Sequence, residues 1–186
     1  MVFAYNWGTK NLSTFQPVNF STTMNHLWSP WRMSYIENHE KENGCVFCNA
    51  QSQTDNAENL IAYRGKLAYV ILNRYPYTSG HLMVIPFAHV SNLEELDAET
   101  RAEIMELTSH SMTVLREIYK PHGFNMGANI GEAAGAGVLG HVHIHVVPRW
   151  AGDTNFMSAV GGTRVLPETL EETYKRVKSG FEGLKV

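Results

Sequence analysis

The sequence predicts an α+β fold: an antiparallel sheet with one long helix and short flanking helices. Three observations carry this expectation. Short runs rich in aliphatic and β-branched residues recur at 67–72, 81–86, 124–130 and 141–147. A single long stretch, from Asp97 to about Lys120, repeats its apolar residues at helical spacing. Strands follow strands on either side of that helix, rather than alternating with helices as a parallel sheet requires.

The elements follow in chain order. Residues 1–23 are polar, rich in Asn, Ser and Thr, and lack a period, so they read as a flexible N-terminal extension preceding a catalytic domain at 24–186. Ser29 followed by Pro30 is a helix-start signal, an N-cap serine before proline at the first helical position. Cys45 and Cys48 are placed on a turn near Gly44. The runs 67–72 and 81–86 flank Asn-Arg-Tyr-Pro-Tyr-Thr-Ser-Gly, which reads as the long loop of a hairpin. Asp97 can cap the long helix, whose inner face is Ile104, Leu107, Ser111, Val114, Leu115 and Ile118, and Pro121 stops it. Strands at 124–130 and 141–147 are joined by a Gly/Ala loop, and 167–178 reads as a terminal helix.

Composition sets outer limits. The chain has 186 residues, 44% of them apolar, enough for one domain with a sizeable core. Its 15 basic and 18 acidic side chains leave a net charge of −3, which argues against a broad surface for long nucleic acid. No apolar run approaches the roughly 18–20 residues that span a bilayer. The N-terminus lacks the charged and apolar regions of a secretory signal, so a cytoplasmic location is expected. A disulfide between the two cysteines would close a very short loop, which leaves metal binding or thiol redox chemistry as the open readings.

The strongest chemical signal is His-Val-His-Ile-His-Val-Val-Pro-Arg-Trp at 141–150. On a strand, His141, His143 and His145 would share one face at about 6–7 Å spacing, with Val142, Ile144 and Val146 on the core face. Imidazole can act as nucleophile, acid or metal ligand near neutral pH. Packing explains a single such histidine readily and three in register poorly. The preceding Ala-Asn-Ile-Gly-Glu-Ala-Ala-Gly-Ala-Gly run is small enough for backbone N–H groups to approach an anion, although such loops also merely turn the chain.

With these residues in hand, the chain resembles the histidine triad (HIT) superfamily over about residues 27–160. The Cys-Val-Phe-Cys segment, Asn-Arg-Tyr-Pro, Gly-His-Leu-Met-Val-Ile-Pro, the long helix, the Gly/Ala loop and the triad occur in the family's order. The Trp-Ser-Pro-Trp-Arg opening and the Arg-Trp-Ala-Gly-Asp tail are similar to the branch of diadenosine tetraphosphate phosphorylases and related dinucleoside polyphosphate enzymes.

The resemblance implies His143 as nucleophile on an α-phosphorus, forming a nucleotidyl-histidine intermediate, and His145 as a donor to a phosphate oxygen. It implies Asn73 as a ribose ligand and Asn129, Gly135, Ala136 and Gly137 as phosphate contacts. His81 matches a histidine near the site that is either a substrate contact or structural. Many members carry Gln where this chain has the small residues Ala134-Gly135-Ala136-Gly137, so backbone groups would have to replace that amide. Zinc-containing members complete the Cys-x-x-Cys pair with two histidines, which here are His89 and His141. The implied ligands are a purine nucleotide or dinucleoside polyphosphate and inorganic phosphate, and the implied assembly is a homodimer. Phosphorolysis is favoured over hydrolysis by the small-residue loop and the tail, with Arg149 either adding charge near the phosphates or lying on the surface. The alternatives are a nucleoside phosphoramidate hydrolase and a nucleotide-binding protein without turnover.

Overall fold

The computed structural model describes residues 44–153 and 167–183. The expected extension at 1–23 and the helix expected from Ser29 lie outside them. Five antiparallel strands form one sheet: β1 (Ile61–Arg64), β2 (Ala68–Leu72), β3 (Leu82–Pro86), β4 (Gly123–Gly127) and β5 (Ile144–Arg149), in the order β1-β2-β3-β5-β4. Among the described residues three α-helices accompany it: α1 (Val46–Gln51), α2 (Ala98–Tyr119) and α3 (Leu170–Gly183). The α+β architecture is the one expected.

Helix α2 begins where Asp97 accepts a 2.6 Å hydrogen bond from the Thr100 N–H. This occupies one of the donors left open in a helix's first turn. At the other end Lys120 turns left-handed, φ 47°, just before Pro121. Five of the six residues assigned to its inner face are buried, and Ile118 packs against the core from a half-buried position. Helix α3 starts later than its sequence pattern suggests, because Thr169 and Glu172 form a reciprocal cap. The Thr169 hydroxyl accepts from the Glu172 N–H at 3.2 Å, and the Glu172 carboxylate accepts from the Thr169 N–H at 3.2 Å. Tyr174, Val177 and Phe181 turn inward from it.

Strand β1 was not among the expected elements. Only four residues long, it is too short to show a period, and it exists by pairing with β2. The β1–β2 turn is held from outside. Its Gly65 N–H donates to the Ala68 carbonyl at 2.8 Å, while Glu103 of α2 accepts from the Leu67 and Ala68 N–H groups at 2.9 and 3.2 Å.

Two strand ends differ from expectation. Strand β4 stops at Gly127 rather than continuing to Ile130, because its last partner on β5 is His145. Strand β5 starts at Ile144, so His141 and His143 precede the ladder instead of sitting on it. The cause lies in β3. Pro86 has no N–H to offer residue 142. Its carbonyl instead meets the His141 side chain, and the Val142 N–H donates to Val90 at 2.8 Å.

Gly80 brings the β2–β3 loop onto the core. Its φ is +76°, and a β-carbon there would lie 2.9 Å from Leu115 Cδ2 and 3.1 Å from the Tyr119 ring. Gly80→Ala therefore combines backbone strain with overpacking, and should destabilise the fold by about 2 kcal/mol. Urea unfolding checks this, and an unchanged midpoint would show that the loop relaxes freely.

Candidate active site

The side chains that carry chemistry gather where β3 and β5 lie side by side. Paired positions Ile71–Met83 and Met83–His145 bring β2, β3 and β5 into one face, and Ile71, Met83 and His143 line a cavity of about 560 Å³. That volume suits a ligand of nucleoside size. Asn73, at the end of β2, lines the same cavity, together with Phe47 of α1 and Arg74 beside Asn73.

His143 is 5% exposed, and its Nδ1 lies 2.9 Å from the His141 carbonyl oxygen. A carbonyl can only accept, so Nδ1 carries the proton and Nε2 keeps its lone pair. Burial lowers the pKa of His143 below its ordinary value, partly opposed by that hydrogen bond. The ring is thus held neutral, in the tautomer that leaves Nε2 nucleophilic.

His145 is set by a second chain of contacts. The Tyr77 backbone N–H donates to His81 Nδ1 at 3.1 Å, so in the neutral ring His81 Nε2 carries the proton. That Nε2 lies 3.0 Å from His145 Nδ1 and donates to it. His145 is left with its proton on Nε2, as a donor. The rings of His143 and His145 stand edge to face, with centroids 4.9 Å apart. His81 is 1% exposed and reaches the site through His145. Asn73 Nδ2 lies 3.4 Å from His81 Nδ1, while Asn73 Oδ1 accepts from the Tyr75 N–H at 2.9 Å.

The small-residue loop behaves differently from an open cradle. Gly135 closes a short turn after Glu132–Ala134 with φ 80°, its N–H donating to Glu132 at 2.8 Å. The Ala136 N–H donates to Gly131 at 3.3 Å. In this conformation those two groups satisfy the loop itself, and Val138 is the loop residue that lines the cavity. Gly137 is exposed, and Asn129 is half-buried beyond β4, outside the cavity wall. Arg149 is committed to the surface: it pairs with Asp153 at 2.5 Å and donates to Asn125 at 2.7 Å.

The first histidine of the triad parts from the other two. His141 Nε2 donates to the Pro86 carbonyl at 2.9 Å, leaving the Nδ1 lone pair directed at Cys45 Sγ, 3.4 Å away, and Cys48 Sγ, 3.7 Å away. Cys48 Sγ lies 3.3 Å from His89 Nδ1. All four ligand atoms fall within 4.8 Å of one another. Burial pushes the Cys45 thiol up, but contact with the His141 ring and hydrogen bonds from the Cys48 and Phe47 N–H groups outweigh it and bring its pKa down to about 6. Cys48 is held above its ordinary value by burial and then by the Cys45 charge. The cysteines sit at the start of α1, Cys45 as its N-cap and Cys48 within its first turn, where the sequence suggested only a turn.

Sequence reasoning passed over Phe47 and Tyr77. Phe47 lies between the cysteines, with its ring centroid 5.5 Å from that of His141 and 5.0 Å from that of His143. Its place inside Cys-Val-Phe-Cys was the available signal. Tyr77 acts through its backbone N–H, which side-chain identity cannot reveal, and its ring lies against those of His81 and His145, with centroids 4.6 and 6.2 Å away.

Among the described residues, no helix is long and apolar enough to cross a membrane. The HIT domain family model matches residues 54–152, just over half of the chain. A protein named AP-4-A phosphorylase from Mycobacterium tuberculosis is 41% identical over 157 residues, covering 81% of this chain and 80% of its own. Among solved structures, a Zn-bound histidine triad family protein from Mycobacterium smegmatis aligns with a TM-score of 0.60 at 29% identity, over 75% of this chain and 94% of its own. A hypothetical histidine triad nucleotide-binding protein from Sulfolobus tokodaii strain7 aligns with a TM-score of 0.61 at 29% identity, over 76% and 94%. The order of strands, the histidine cluster and these likenesses agree: the chain belongs to the HIT family.

Proposed function

We propose that this protein cleaves dinucleoside polyphosphates, such as diadenosine tetraphosphate, through a nucleotidyl-His143 intermediate that inorganic phosphate opens. The observation that carries the reading is the His143 ring, with its Nδ1 proton held by the His141 carbonyl at a cavity wall of nucleoside size. The similarity to a protein named AP-4-A phosphorylase supports the substrate class and the acceptor.

In the first step His143 Nε2 attacks the α-phosphorus, and the bond to the leaving polyphosphate oxygen breaks. His145 donates from Nε2 to the phosphate oxygen on which charge accumulates. Asn73 holds the ribose hydroxyls. In the second step a phosphate oxygen attacks the same phosphorus, the phosphorus–nitrogen bond breaks, and His143 returns to its starting tautomer. Gly135, Ala136, Gly137 and Asn129 remain the proposed phosphate contacts. Engaging Gly135 and Ala136 through their N–H groups requires the loop to exchange its internal bonds for the anion. Arg149 has no part in the scheme, its charge being spent on Asp153.

We further propose that Cys45, Cys48, His89 and His141 hold one zinc ion. Tetrahedral zinc with two thiolates and two imidazoles sets its ligand atoms about 3.3–3.8 Å apart, and the Cys–His separations here are 3.3–3.7 Å. Four protein ligands leave no open position, so zinc would join α1 to the sheet rather than activate water. A homodimer remains part of the proposal, supported by the free edge of β4 and its exposed Met126 among the described residues.

Three outcomes test these readings. His143→Ala should lose about 10³-fold or more in turnover while still binding nucleotide. Retention of a tenth of wild-type turnover would exclude His143 as nucleophile. With diadenosine tetraphosphate, added phosphate should accelerate the reaction and yield adenosine diphosphate and adenosine triphosphate in equal amounts. Chromatography that finds only adenosine monophosphate and triphosphate, indifferent to phosphate, would make the enzyme a hydrolase. Elemental analysis of protein prepared without chelators should find one zinc per chain, and Cys45→Ser should lower both zinc content and Tm. Active, reduced protein without metal would rule the site out.

A further inference from the structure

Two side chains in the cavity wall carry a formal charge, Glu58 and Arg74. They come from separate loops and meet at the rim, where Arg74 Nη2 donates to the Glu58 backbone carbonyl at 2.6 Å. Among the described residues, the other N–H groups of Arg74 have no hydrogen-bond partner, and neither has the Glu58 carboxylate. Arg74 follows Asn73 directly in the chain, so a base carried by a ribose at Asn73 lies beside both charges.

The segment that carries Glu58 is tightly built. Asn56 Oδ1 accepts from the Glu58 and Asn59 N–H groups at 2.8 and 3.0 Å. Asn59, 5% exposed, donates through Nδ2 to the Thr54 carbonyl at 3.0 Å and accepts at Oδ1 from the Ile61 N–H at 3.2 Å. Leu60 then holds φ 64°, a left-handed conformation that a bulky side chain rarely adopts. It is buried and forms part of the cavity wall, with Phe47 and Ile71. Backbone kept in such sparsely populated conformations concentrates at ligand-binding sites.

We propose that Glu58 and Arg74 read the edge of the base and make guanine, rather than adenine, the preferred purine. The inference rests on reading this cavity as the nucleoside site, and it names the base that the site takes. Guanine presents its N1–H and N2 amino donors side by side, which one carboxylate accepts together. Next to them are the O6 and N7 acceptors, which a guanidinium meets with paired N–H groups. Adenine in the same seat turns its N6 amino donors toward Arg74 and its N1 lone pair toward Glu58, so like meets like at both contacts. The apolar wall of Phe47, Leu60 and Ile71 serves either ring, so diadenosine tetraphosphate is still cleaved, at a lower kcat/KM. For solvent-exposed contacts the discrimination is about 10-fold, the low end for paired hydrogen bonds to a base.

Calorimetry with guanosine and adenosine monophosphates tests the assignment on the full chain, together with kcat/KM for diguanosine and diadenosine tetraphosphates. Guanine should be favoured about 10-fold in both measurements. Glu58→Gln, a change of nearly equal size at an exposed position, should abolish the preference by weakening the guanine nucleotide alone. Arg74→Met should also lower the guanine-to-adenine ratio, whereas a merely structural role would weaken both nucleotides alike and leave the ratio unchanged. Circular dichroism confirms that each variant is folded. Equal binding of the two monophosphates by the wild-type protein, or a preference that survives Glu58→Gln, would overturn the proposal. Preference in binding without cleavage of either dinucleotide would reject the proposed reaction and leave the base assignment standing. Cleavage of both dinucleotides at equal kcat/KM would do the reverse.

Discussion

The site depends on one hydrogen bond, from His143 Nδ1 to the carbonyl of His141. An imidazole is a nucleophile at one nitrogen only when its proton is kept on the other. Burial disfavours the charged ring, and the carbonyl selects between the two neutral forms. The cost of holding a polar ring almost fully buried is met by satisfying its donor locally, with a group two residues away in the same chain. Everything that fixes this carbonyl acts on the ring as well.

His145 reaches its state by a longer route with the same logic. A backbone N–H at Tyr77 selects the tautomer of His81, and His81 selects that of His145. The two catalytic candidates are thereby set in opposite senses, one presenting a lone pair and the other a proton. Gly80 lets the loop that carries Tyr77 and His81 lie against Leu115 and Tyr119, so the helix packing of the core and the proton arrangement of the site share a boundary. In the displacement at phosphorus proposed above, each member of this complementary pair has its own use.

The cysteines and His89 solve a different problem on the same strand entry. Cys45 lies near the ionised form at neutral pH, while burial and then the Cys45 charge keep the Cys48 proton in place. Two sulfurs and two imidazole nitrogens drawn this close lose mutual repulsion when they share a cation. The histidine run thus divides its labour. One member turns to the sulfurs, one lines the cavity, and the third meets His81.

The sequence by itself determined the α+β class, the span and cap of the long helix, the β2–β3 hairpin and the four candidate metal ligands. Each rests on a signal written in local order or in family resemblance: Asp97 ahead of a helical period, aliphatic runs around Asn-Arg-Tyr-Pro, and a Cys-x-x-Cys pair. Tertiary structure alone decided where β5 begins, because that depended on Pro86 lacking an N–H and on Val142 finding Val90 instead. It alone revealed β1, which four residues can form only against a partner. It also turned the Gly135 and Ala136 N–H groups inward and spent Arg149 on Asp153, where composition had allowed both to face phosphate. Residue type fixes which hydrogen bonds a group is able to make. Which of them it does make is settled by the groups that folding places within about 3 Å of it.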